Sequence, residues 1–143
     1  MKQLAHRTGA IISTVCLEVF FLSSLFVVIQ GEPESIVMVK SLIAMPGLLI
    51  FIPAIAVAGA TGLSFSTSKS GCIVGQKRKR MPFIGISALL ILLPAAVVLN
   101  LWASVGSFDN RFYLLQALEL VAGVITIVLM IMNIRAGRKL KRK

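Results

Sequence analysis

Four apolar runs, each of about twenty residues or slightly more and separated by short polar stretches, decide what this chain can fold into. They extend roughly over 9–29, 41–63, 82–103 and 112–134. About 20 consecutive apolar residues make a helix as long as the ~30 Å hydrocarbon layer of a bilayer. In that layer a backbone segment of this kind satisfies its own N–H and C=O groups only as a helix. The pattern therefore predicts an all-α chain: one polytopic membrane domain over 1–143, built as a four-helix transmembrane bundle.

Composition excludes the alternatives. Of the 143 residues 57% are hydrophobic and only 14% are charged, whereas a soluble domain usually carries about a quarter charged residues. A soluble domain of this size has too little interior for so many apolar side chains. An ordinary soluble enzyme, a disordered chain and a disulfide scaffold are all excluded. The first run is longer than the apolar region of a secretory signal, contains Glu18 and is followed by no A-x-A site, so it reads as a retained span. Cys16 and Cys72 lie in different surroundings, one apolar and one basic, and read as free thiols.

The formal charge of +10 is informative through its placement. Lys2 and Arg7 precede the first run; Lys69, Lys77, Arg78, Lys79 and Arg80 lie between the second and third; Arg135, Arg138, Lys139, Lys141, Arg142 and Lys143 follow the fourth. These thirteen cations fall on one side, with no acid among them. The other side holds Lys40 and Arg111 with Glu32, Glu34 and Asp109. Short cationic loops stay on the cytoplasmic side, so both termini are expected in the cytoplasm of a bacterial inner membrane. Trp102, Phe108, Phe112 and Tyr113 cluster near the outer ends of runs three and four, at the level aromatic rings favour.

The clusters Lys77, Arg78, Lys79, Arg80 and Arg138, Lys139, Lys141, Arg142, Lys143 suit contact with anionic lipid, at about 1 kcal/mol per cation near the surface. They carry no interleaved aromatic residues for base stacking, so nucleic acid is not the expected partner.

Two acids, Glu18 and Glu119, lie deep within the predicted spans. Such residues are costly in hydrocarbon and normally face the interior of the bundle. Counting 1.5 Å per residue from the span ends puts their depths within about 6 Å of one another. Spans one and four can be neighbours, so the two acids are expected to face one shared interior site. Gln116, Glu119, Gly123, Thr126, Met130 and Asn133 repeat at intervals of three and four, one inward stripe of a packed helix. That stripe is either hydrogen-bonding glue between helices or the lining of a proton or cation path. Ala54, Ala58 and Gly62 form a small-residue ridge suited to close helix contact, within the chain or between copies. Pro46, Pro53 and Pro94 are expected to bend their helices.

No Walker loop, GxSxG, HExxH or dinucleotide fingerprint is present. The single histidine, His6, excludes a bis-His haem within one chain and reads as a solvated residue at the interface. The chain is therefore expected to be no enzyme and to need no metal or other cofactor.

The stretches GQKRKRMPFIGISALLILLPAAVVL and GSFDNRFYLLQALELVAGVITIVLMIMNIRAG resemble, in texture, small four-span bacterial inner-membrane proteins of unknown function. The resemblance covers the C-terminal half and implies no activity. Small multidrug exporters also carry a lone Glu in their first span, as Glu18 does here, but this chain is longer and lacks their aromatic-rich later helices. Fluoride channels have a Gly-rich first half and an Asn/Arg signature that is missing.

Two functions fit these residues. One is a small integral subunit, assembly factor or scaffold in a larger membrane complex. The other is a homo-oligomeric transporter or channel in which Glu18 and Glu119 couple to protons or a cation.

Overall fold

The computed structural model describes residues 2–66 and 83–141, with side chains over 3–62 and 83–135. All regular structure among the described residues is helical. Helix α1 spans Lys2–Gln30, α2 Pro33–Leu42 and α3 Leu48–Ser66. Helix α4 spans Phe83–Ser104 and α5 Asn110–Lys141. Four stretches are long and apolar enough to cross a membrane: Gln3–Gln30, Pro33–Gly62, Phe83–Ser104 and Asn110–Arg135.

The second of these starts eight residues earlier than the run at 41–63 suggests. Glu32 has extended backbone at the N-cap, Pro33 opens the helix and Glu34 stands in its first turn. Pro is favoured at the first helical position, where its missing N–H is no loss, and an acid there suits the helix dipole. The shift carries Lys40 out of the predicted loop and two turns into the helix, the principal correction to the sequence reading.

Between α2 and α3, over Ile43–Gly47, the helix is broken by a kink. Pro46 has no N–H to donate, and the residue before a proline is driven from helical to extended backbone. Met45 is that residue, with φ −145° and ψ 116°. A wide π turn, Ala88–Leu92, precedes Pro94 in α4. The bend expected at Pro46 is thus a break in the helix at Met45, and the one at Pro94 follows a widened turn.

The turn after α4 is closed by glycine. Gly106 adopts φ +71°, its N–H donates to the Ala103 carbonyl, and the Ser107 N–H donates to the Trp102 carbonyl. This reciprocal pair satisfies carbonyls the helix end leaves open. Asp109 then caps α5, its Oδ1 accepting the Phe112 N–H at 3.0 Å.

The helices close into a ring. Helix α1 packs along α3 and α5, α2 along α4, and α4 along α5. The small-residue ridge is used inside the chain. A Cβ placed on Gly9 of α1 would stand 2.9 Å from the Ala54 carbonyl oxygen and 3.1 Å from the Ala58 nitrogen. Only glycine lets the two backbones approach so closely. Ala54 and Ala58 are buried at that contact, and Gly62, a turn further on, is buried too.

Two apolar clusters fill the ring. One is built around Leu17, Phe51, Ile55, Ala88 and Met130. The other, near the α4–α5 turn, holds Val27, Ile36, Leu99, Ala103 and Phe112. The outward faces of the helices are apolar and exposed.

Candidate functional site

Lys40 is fully buried, 0% exposed, and its Nζ lies 2.6 Å from Glu119 Oε2, a carboxylate 11% exposed. The same ammonium donates to Ser24 Oγ at 3.1 Å. From the next turn of α5, Gln116 Nε2 donates to the same Glu119 Oε2 at 2.8 Å. One polar knot thus ties α1 (Ser24), α2 (Lys40) and α5 (Gln116, Glu119).

Helix geometry explains why these residues meet. Lys40 is seven residues past Pro33 and Glu119 nine past Asn110, about 10 and 13 Å from helix starts on the same side of the bundle. The knot joins opposite charges at matched depth. A buried ion pair that is hydrogen-bonded holds together, but removing either partner typically destabilises by about 3–5 kcal/mol, because a bare charge remains inside.

Gln116 is 1% exposed, and its Oε1 has no hydrogen-bond partner. Its amide therefore makes one bond and strands one acceptor. We expect Gln116→Met to change unfolding free energy by less than about 1 kcal/mol, since it deletes a bond and an orphan acceptor together. Equilibrium unfolding in mixed micelles measures this.

The rest of the α5 stripe also faces inward. Thr126, fully buried, donates to the Ala122 carbonyl at 2.7 Å and lies 2.6 Å from Ser87 Oγ of α4, whose hydroxyl supplies the hydrogen. Gly123 stands against the Phe21 ring, where a Cβ would be 3.4 Å from Cδ2. Met130 is buried. Asn133 is half-buried, and its Oδ1 has no hydrogen-bond partner.

Glu18 stands apart from the knot. It is half-buried and has no hydrogen-bond or ion-pair partner among the described residues. The shared Glu18–Glu119 site expected from their depths is replaced by Glu119 with Lys40, Gln116 and Ser24. Lys40 is the partner hidden from sequence reasoning, because a lysine lowers local hydropathy and reads as loop.

Two small cavities flank this interior. One, of about 30 Å³, is lined by Ser24 and Glu119 among Leu17, Phe20, Phe51 and Leu92. It has room for a water or two. The other, of about 60 Å³, lies toward the start of α1 and is lined by His6, Ser13, Thr14, Ala58 and Asn133. His6 is half-buried rather than solvated. Its Nδ1–H donates to the Ala58 carbonyl at 2.9 Å, with Thr61 Oγ1 at 3.2 Å. Among the described residues no three of His, Cys, Asp and Glu gather as metal ligands would.

Cys16 carries a free thiol. Arg138, Lys139 and Lys141 lie on the last turns of α5, with side chains outside the described set. Cys72, Lys77, Arg78, Lys79, Arg80, Arg142 and Lys143 lie outside the described residues.

No family model, curated protein or solved structure matches the chain.

Proposed function

We propose that this chain is a small integral subunit, assembly factor or scaffold of a membrane complex. It sits in a bacterial inner membrane with both termini in the cytoplasm, its basic segments against anionic lipid. The observation that carries this reading is the Lys40–Glu119–Gln116–Ser24 knot. It joins three helices, neutralises its own charges and leaves beside it a cavity of only about 30 Å³. Such a centre holds helices in register and offers neither a reacting group nor a conduit.

Native mass spectrometry after gentle extraction from the membrane tests it. The expected result is a defined mass that contains this chain and other membrane subunits. A chain that always emerges as a monomer would overturn the reading.

A second reading, a homo-oligomeric transporter or channel, draws on Glu18, an acid at mid-span without a partner among the described residues. Glu119 serves that reading less well, because Lys40 already supplies its counter-charge. Glu18→Gln separates the two: a transporter loses flux, whereas a subunit keeps its assembly.

A further inference from the structure

Helix α1 presents two faces. Ser13, Leu17, Ser24 and Val27 are buried in the bundle. Ile11, Val15, Leu22 and Ile29 are exposed on the outward face, Leu22 by 61% and Ile29 by 75%. Positions 11, 15, 18, 22, 25 and 29 alternate by four and three, the spacing of a seam along which two helices pack. Every member of that seam is Ile, Val or Leu except Glu18, which falls in its middle.

The spacing alone says little, and α5 shows why. Leu114, Leu118, Val121, Ile125 and Val128 are exposed at the same intervals. That face is apolar throughout, as contact with lipid tails requires. The α1 face is not, because a carboxyl sits about 18 Å from the outer end of the helix, counted back from Gln30. An ionisable residue at such depth ordinarily has a partner, and Glu18 has none among the described residues.

We propose that α1 pairs in parallel with α1 of a second copy, the two Glu18 carboxyls meeting across a two-fold axis along the membrane normal. Lys40, the cation deep in the described spans, is already enclosed with Glu119, so a second copy brings no free cation to this level. It brings another Glu18 at identical depth. A protonated carboxyl carries both a donor and an acceptor, so two of them facing each other are complementary. Copies inserted the same way are necessarily parallel, and a two-fold contact is the commonest way for identical chains to associate. A single polar residue in an apolar seam fixes its register. The inference rests on the membrane reading above but not on other subunits being present.

Crosslinking in native membranes tests it, with Cys16→Ser and Cys72→Ser as background. Val15→Cys and Leu22→Cys, treated with a short bismaleimide, are expected to give a dimer of this chain. Val121→Cys on α5 is expected to remain monomeric. Adding Glu18→Ala should lower the Val15→Cys dimer yield at least fivefold, and Glu18→Gln, whose amide is also self-complementary, should retain most of it. Equal yields from α1 and α5 would mean random collision and overturn the proposal, as would no dimer from α1. Adducts of the α1 cysteines to another protein alone would overturn it while leaving the subunit reading intact. The crosslinks on the native Glu18 background decide the question even where a Glu18 variant fails to fold.

Discussion

Lys40→Met and Glu119→Leu, made singly, are each expected to destabilise the bundle by about 3 kcal/mol, and the double variant to recover most of that loss. The argument is one of stranded charge. Lys40 is wholly enclosed and Glu119 nearly so, so deleting either leaves its partner in a low-dielectric interior without compensation. Deleting both leaves apolar side chains where an ion pair stood, and such replacements are often neutral or better. The two singles should differ. Without Lys40, the Glu119 carboxylate keeps the Gln116 amide; without Glu119, the Lys40 ammonium keeps only the Ser24 hydroxyl. Glu119→Leu is therefore the more damaging change. Lys40→Arg should not rescue, because a planar guanidinium does not fit a site shaped for a compact ammonium. A cycle of four proteins unfolded in mixed micelles measures the coupling. Hydrogen bonds between membrane helices average about 0.6 kcal/mol in such cycles, so a coupling of that size would reduce the knot to ordinary glue.

The knot also shows what the sequence makes legible and what it hides. Length and hydropathy reveal the four membrane-length helices, and three-four spacing reveals the inward stripe of α5, because both are local properties of the chain. Glu119 is visible as an expensive residue for the same reason. Its counter-charge is not, since a lysine at the edge of an apolar run looks like the end of that run. The information needed was nevertheless local. Glu32, Pro33 and Glu34 carry the proline and acid that mark a helix start, and counting from them puts Lys40 two turns inside. Hydropathy alone puts the boundary after Lys40 and hides the pairing; the capping residues put it before. Glu18 is a different case. Its depth follows from counting residues, but its face depends on how α1 is rotated against α3, which close contact at Gly9 sets. Thr14, one turn away, is buried while Glu18 is only half-buried. The solvated reading of His6 fails for a similar reason: its bond to Ala58, 52 residues away, exists only once α1 lies along α3.

Orientation is expected to be all or none, and Lys40 sharpens the reason. With Lys40 enclosed between helices, the side proposed to be outer retains Arg111 against Glu32, Glu34 and Asp109, while thirteen cations lie on the other side. Cations in short loops near span ends set the side that stays in the cytoplasm. Alkaline phosphatase fused after Ser107 should be active, and the same enzyme fused after Lys143 inactive, with green fluorescent protein giving the reverse pattern. Exchanging Lys77, Arg78, Lys79, Arg80, Arg138, Lys139, Lys141, Arg142 and Lys143 for Gln removes nine of the thirteen cations and should yield a mixed population. Lys40→Gln should leave orientation unchanged, because a residue paired inside the bundle is not a loop charge. The opposite pattern, with Lys40→Gln inverting the chain and the loop changes doing nothing, would return Lys40 to the surface and remove the basis for a membrane-embedded ion pair. Orientation also fixes the level of that pair. In the proposed orientation α2 and α5 both start outside, which would place Lys40 and Glu119 in the outer half of the bilayer, about 10–13 Å from their helix starts. Glu18 lies nearer the middle, so the two polar sites are separated in depth, one closing the bundle and the other available to a neighbour.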